Sequence, residues 1–546
     1  MTMEENVEKI IEVKKNTIEK SLIMAEKYVA DSLGKFFREN WLVIVLLVII
    51  IICAYGFELF NFNLSIDEEI PIYRAPSLYF VSMGEWGSYF VNRFILPDAI
   101  IPFVPLFLAL VFQGISAFLL LSSWDSVSKI EKILFGGVML IFPTNAYMYC
   151  FSMSSYQLGF GYLCTALSIF IFSKAPKFYK YLSILPAAFA IGIYLGFVPC
   201  LVSVFLMYIV FLWIKAKCIN WRMLFEMSAV LILSVVVDYV IQRIVFFWLK
   251  APVNGYIESY FSLGTIIPQF STILKNLYAF LYSIYSGNPS VYADKIKVLP
   301  YIIILSILGS WYKILRSGLS ILSKIILLVS IPVILFIPFS PGILLSGYIP
   351  LRSLLALPLV IAGVIVIALK DNRKVIQYVI VLFVIAGIFE FIVSNNHLFL
   401  SGNLALEADR LLASRIVDRI DQARETVQGP VAYFEVVGYL DPDYSGIIHN
   451  SEEFGASFFE WDEGSAYRII NFLQTIGFSG YNVADLDTRA EIVAFAESMP
   501  DWPASGSVGI YKDTVILKLS PYSDDQKAQI CSSDKNRVIV PKGFCP

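Results

Sequence analysis

Histidine is nearly missing from this chain, with His397 and His449 the only two in 546 residues. That excludes histidine-based acid–base catalysis and a histidine-rich metal site. Charge is scarce as well, at 16% against about a quarter in an ordinary soluble domain. The 41 basic and 44 acidic residues nearly cancel, so nothing points to nucleic acid as a partner. There is no Walker motif, no HExxH, no glycine-rich dinucleotide fingerprint and no internal repeat. An ATP-driven pump encoded on this chain is thereby excluded. The seven cysteines show no CxxC spacing. Cys53, Cys150, Cys164, Cys200 and Cys218 lie in or beside apolar runs and read as small packing groups rather than metal ligands.

Apolar residues are abundant instead. They make up 58% of the chain, with 43 Phe, 31 Tyr and 9 Trp. Neither a disordered chain nor a simple cytosolic enzyme has this composition, so the protein reads as polytopic and membrane-embedded. Eleven spans are expected, at 41–62, 99–122, 133–150, 157–173, 181–195, 198–214, 223–249, 298–311, 325–338, 354–370 and 375–394. Alternate connections carry Lys129/Lys132, Lys174/Lys177/Lys180, Lys215/Lys217/Arg222, Lys313/Arg316/Lys324 and Lys370/Arg373/Lys374. The positive-inside rule makes that side cytoplasmic. Residues 1–40 repeat apolar positions at helical spacing among lysines, the pattern of an amphipathic helix on the cytoplasmic membrane surface or of a solvated helix before the first span.

An odd span count puts everything after about residue 395 outside the cytoplasm. Loops 63–98, 250–297 and 339–353 fall on that outer side and are too long to be turns. Residues 403–546 read as a compact α/β domain. Leu404–Val427 and Ser465–Ile476 are expected helices. Val431–Val437, Gly506–Tyr511 and Thr514–Leu519 are expected strands, the last two joined by a Lys512–Asp513 turn. Cys531 and Cys545, placed in an oxidising compartment, are expected to close a disulfide.

Chemistry is sought first where polar residues crowd the outer boundary. Asp67, Glu68 and Glu69 follow the first span directly, and like charges so close raise one another's pKa, as a general base near neutral pH requires. A solvated loop cap is the plain alternative. Trp86 and Tyr89 suit stacking on sugar rings and equally an interfacial belt. Arg74, Arg93 and Arg352 are nearly the only arginines on the outer loops before the tail. A guanidinium at headgroup depth can hold a phosphate by paired hydrogen bonds, or simply snorkel to lipid. Asp238 and Arg243 fall inside the seventh span, each expected to pair with another helix or a headgroup.

Several stretches carry a family resemblance: Ser65-Ile-Asp67-Glu68-Glu69, Trp86-Gly87-x-Tyr89, Arg93, Ile193-Tyr194-Leu-Gly196-Phe197 and Pro350-Leu-Arg352-Ser353-Leu354. In this order the chain resembles the serotype-converting O-antigen glucosyltransferases, polytopic proteins of GT-C architecture. The resemblance spans roughly residues 40–400. It implies a GT-C-like catalytic bundle over 41–400 and a periplasmic α/β domain over 403–546, in a bacterial inner membrane. The implied donor is undecaprenyl-phosphate glucose, made by a partner synthase and brought across by a partner flippase. The implied acceptor is a hydroxyl of a lipid-linked O-antigen repeat. Asp67 and Glu68 are then expected as base and orienter, with Glu69 as a supporting acid. Arg93, Arg352 and Arg74 would face the donor phosphate, and Trp86 and Tyr89 the sugars. No cofactor is implied, although Asp67–Glu69 could help bind a divalent cation. A lipid-linked sugar flippase, an O-antigen polymerase and a non-catalytic assembly scaffold are the competing readings.

Overall fold

A computed structural model describes residues 34–70, 77–96, 101–124, 128–217, 220–251, 263–345, 347, 349–427, 429–440 and 453–545. The expected surface helix at the N-terminus lies almost wholly outside these residues, and Arg74 lies outside them too.

The protein is mainly helical. Eight helices among the described residues are long and apolar enough to cross a membrane: Gly34–Phe60, Val104–Ser123, Ser155–Lys174, Phe197–Ala216, Trp221–Leu249, Leu299–Arg316, Ile321–Phe339 and Lys374–Glu425. Against the expected count of about eleven, eight helices among the described residues meet both length and hydropathy. The other three segments are the helices Lys129–Ile141, Ile184–Ile193 and Ala356–Leu369, of 13, 10 and 14 residues. Each is too short for the ~20 residues that cross a bilayer. Their apolar residues serve protein packing instead: every residue of Ala356–Leu369 is buried. The expected loop 250–297 also holds a 23-residue helix, Leu263–Tyr285, with Pro268 inside it.

The bundle has two chemically distinct ends. At one, Lys132 Nζ donates to Asn40 Oδ1 (2.8 Å), Lys370 Nζ to the Trp124 carbonyl (3.4 Å), and Arg373 lies over the Tyr312 ring. The helix from Asn40 to Phe60 then rises about 30 Å, the thickness of a bilayer's hydrocarbon core, to the loop bearing Asp67. The three short helices end or begin at polar connections. Ile184–Ile193 ends at Tyr194, Lys129–Ile141 at a 3-10 turn opened by Pro143, and Ala356–Leu369 begins after the turn Leu351–Ser353.

The last span does not end where the expected outer domain begins. Lys374–Glu425 is one continuous 52-residue helix, and the boundary expected near residue 403 falls inside it. The helix ends against a four-stranded sheet: β1 (Tyr433–Val437), β2 (Asn482–Val483), β3 (Val508–Tyr511) and β4 (Thr514–Lys518), in the order β2-β1-β4-β3. β1 pairs parallel with β2 and β4, and β3 pairs antiparallel with β4 across the Lys512–Asp513 turn. Alternation sorts the sheet's two faces. Phe434, Val436, Val515 and Leu517 pack with Ala413, Ile416 and Ile420 of the long helix, and with Ile469 and Leu473. Val437 and Ile516 face Ala490, Val493 and Ile530 on the other side. There Cys531 and Cys545 are joined in a disulfide. Leu64 and Ile66 of the first loop belong to the former cluster, so that loop is built into the tail domain's core.

Candidate active site

The three consecutive acids after the first long helix do not form one cluster. Asp67 adopts a left-handed backbone (φ 74°), and its neighbours turn to opposite surroundings. Asp67 is half exposed. Glu68 is fully buried, and its two oxygens accept from the backbone N–H groups of Ser65 and Met153, each at 2.9 Å. Burial pushes its pKa up to about 8, against the pull of those N–H groups, and Glu69 adds only a smaller rise. Glu68 thus braces residues 65–68 against 153, each of its oxygens taken up by a backbone N–H. The expected mutual repulsion is also a minor cause beside desolvation.

Glu69 is buried and meets a residue that sequence reasoning missed. Arg468, on the tail helix Ala466–Thr475, donates Nη1 to Glu69 Oε1 and Nη2 to Asp67 Oδ1, both at 2.8 Å. Its Nε donates to Asp462 Oδ2 at 2.5 Å. Burial raises the pKa of Glu69, and the Arg468 charge opposes that rise. A second pair reverses the polarity: Arg352 of the bundle donates Nη1 to Oε1 of the buried tail residue Glu453 at 3.0 Å. The tail segment carrying Glu453 is pinned in turn by Asp409 of the long helix. That carboxylate accepts from Ser457 Oγ (2.6 Å) and the Phe458 N–H (2.8 Å).

These groups share one electrostatic neighbourhood. Tyr79 lies in range of Asp67, Glu85, Arg352 and Arg468, and burial is the main cause of its raised pKa. Tyr194 is in range of Glu85, Arg352 and Glu453, and its hydroxyl shares a hydrogen bond with Ser353 Oγ at 2.7 Å. Arg352 is in range of Asp67. Glu85 is half-buried just before the helix Trp86–Phe94. Its carboxyl makes no hydrogen bond or ion pair with the described residues, and burial raises its pKa to about 8.

Trp86, expected to face the sugars, is turned into the bundle. It is buried, its Nε1 donates to Asp238 Oδ1 at 2.7 Å, and its ring meets Phe189 edge-on. A Cβ on Gly192 would lie 2.2 Å from that ring, so only glycine admits it there. This contact also supplies the partner for intramembrane Asp238, while Arg243 lies over the Tyr239 ring. Tyr89 is half-buried and packs edge-on against Phe90. Arg93 is exposed and forms no ion pair among the described residues. Eight residues separate it from Glu85, about 12 Å along the helix axis.

The assembled site has a half-free carboxylate beside a guanidinium capable of holding phosphate, at one end of a membrane bundle. Acid–base and phosphate chemistry can meet there. A family model described as glucosyl transferase GtrII matches residues 56–369, more than half of the chain. The chain belongs to the GtrII family. It is therefore a membrane-embedded glycosyltransferase, of a family that acts in O-antigen modification on lipid-linked sugar donors and acceptors. The GtrII match covers Asp67, Glu69, Glu85, Tyr194 and Arg352, whereas Glu453 and Arg468 lie beyond it. No curated protein and no solved structure matches the chain.

Proposed function

We propose that this GtrII protein moves a glucosyl group from undecaprenyl-phosphate glucose to a hydroxyl of a lipid-linked O-antigen repeat, at the periplasmic face of a bacterial inner membrane. The observation that carries this reading is Asp67, half exposed with Oδ2 open, in electrostatic range of Arg352. Asp67 takes the acceptor's hydroxyl proton. The acceptor oxygen then attacks C1 of glucose while the bond from C1 to the phosphate oxygen breaks. One displacement of this kind inverts the anomeric centre. Arg352 stabilises the departing polyprenyl phosphate, exchanging the Glu453 carboxylate for the phosphate. Glu69 keeps Arg468 in place beside the base. Arg74 stays a candidate for the donor phosphate from the same outer loop, and Arg93 a more distant one. Tyr89 remains a candidate for acceptor contact.

In this reading the lysine-rich end faces the cytoplasm. The bundle over 41–400 is the catalytic part, the tail over 403–546 is periplasmic, and residues 1–40 lie on the cytoplasmic surface. A glucosyl-lipid synthase and a flippase supply the donor. The test is reconstitution with radiolabelled undecaprenyl-phosphate glucose and lipid-linked O-antigen precursor. Transfer of label to the acceptor is expected; movement of the lipid across the bilayer without transfer would assign a flippase instead.

A further inference from the structure

Every nitrogen of the Arg468 guanidinium is engaged. Its three nitrogens each meet a different carboxylate, two from the first loop of the bundle and one from the tail. The side chain is only 13% exposed, although two of its partners, Asp67 and Asp462, are about half exposed. Asp462 and the next residue both take left-handed backbone angles (φ 51° and 52°), in the turn that brings Asp462 back onto Arg468. Non-glycine residues adopt that region only when the surroundings impose it. Asp67 is a third such residue, so strained backbone stands on both sides of the same guanidinium.

An exposed ion pair between flexible side chains contributes little to stability. A planar fork anchored at two other carboxylates does something more specific, because its third arm is itself fixed and so fixes the oxygen it grips. Asp67 accepts from Arg468 through Oδ1 alone, and Oδ2 has no hydrogen-bond partner among the described residues. The fork therefore leaves one oxygen of a fixed orientation available for an incoming hydroxyl. A base held by a third group is the arrangement that proton abstraction needs, since loss of alignment lowers the rate steeply.

We propose that Arg468 is a positioning residue for glucosyl transfer: through its fork the tail domain orients Asp67 for the acceptor. This rests on the reading of Asp67 as the base. It also assigns part of the working site to a domain that the family match does not reach.

The test compares the full-length wild type with Arg468→Ala, Arg468→Lys and Asp462→Ala, reconstituted with lipid-phosphate glucose and acceptor, measuring kcat and both KM values. Arg468→Ala is expected to lower kcat by about 10- to 100-fold, the range for a misaligned reacting group, with the donor KM nearly unchanged. Added guanidinium ion should restore part of the activity of Arg468→Ala and none of that of Asp67→Asn. Arg468→Lys, which keeps the charge and loses the fork, should fall between wild type and Arg468→Ala. Wild-type kcat in Arg468→Ala, or a raised donor KM at unchanged kcat, would overturn the proposal. If Arg468→Ala does not fold, Asp462→Ala carries the test, since it frees only Nε: a lowered kcat supports positioning and an unchanged one overturns it. When wild type transfers glucose and Arg468→Ala equals it, this inference alone falls. When wild type transfers none, the functional reading falls first and this inference with it.

Discussion

The bundle and the tail domain use the same apolar residue types in opposite ways. On Trp221–Leu249 only Met227, Val230, Ser234 and Val245 are buried, while Phe247 is 87% exposed. In the tail every residue of β4 is buried. The first pattern suits a helix whose solvent is lipid, and the second a sheet covered on both faces. Polar groups follow the same division. Inside the bundle they bond among its own helices, as Trp86 does to Asp238 and Tyr149 to Gln113, and at the junction with the tail they form ion pairs that cross from one region to the other. The candidate site therefore lies where one solvent regime gives way to the other, with acids from the bundle and a guanidinium from the tail.

The largest expected effect tests the bundle's side of this junction. Asp67→Asn should lower glucosyl transfer by about 100-fold or more, the size for a lost general base, at unchanged membrane abundance. Near-normal transfer would move the base to Glu85, a carboxyl with no partner among the described residues. The next tests whether the tail is stabilised independently of the bundle. Cys531→Ser should lower tail-domain stability by about 3 kcal/mol, from the loop closed by the bridge, read as earlier protease cleavage of the tail with the bundle intact. Loss of the bundle at the same point would show that the two regions unfold together.

Trp86→Phe probes a contact wholly within the bundle. It removes the N–H facing Asp238 and should cost about 2 kcal/mol for the orphaned partner, measured as thermal stability in detergent. The acceptor KM should not change; a large rise would restore a sugar-stacking role. Arg352→Ala should raise the donor KM about tenfold, for loss of a charge-assisted contact, with a smaller change in kcat. The smallest effect concerns Glu68. In the folded protein it keeps its proton up to about pH 8, whereas a model carboxyl releases it near 4.5. The folded state thus binds the extra proton across that window, and this group's contribution makes stability fall as pH rises through it. Glu68→Gln should remove that slope from the thermal midpoints between pH 5 and 8, while costing one of the two accepted backbone bonds.

Local patterns were legible and pairings across the chain were not. The strands expected at Val431–Val437 and Thr514–Leu519 match β1 and β4 to within two residues, because alternation is written along the strand itself. All eleven expected apolar segments hold a helix, yet three of them are short, since hydropathy cannot separate a lipid-facing helix from one buried in protein. At the site, Asp67, Glu69 and Arg352 were found from the sequence because a charge at an apolar boundary stands out. Nothing in the pattern around Arg468 distinguished it from any other arginine on an amphipathic helix, and β2 with the helix Leu486–Ser498 also went unread.

The sequence by itself determined that this chain is a membrane bundle with an α/β tail, where its turns and strands fall, and which boundary charges were available for chemistry. Composition and period are properties of neighbouring residues and survive without the fold. The tertiary structure decided which way each acid faces: Glu68 inward to backbone amides, Trp86 into the bundle, and Asp67 and Glu69 onto Arg468, 401 and 399 residues away. Such contacts depend on docking one folded surface against another, and no local period encodes them.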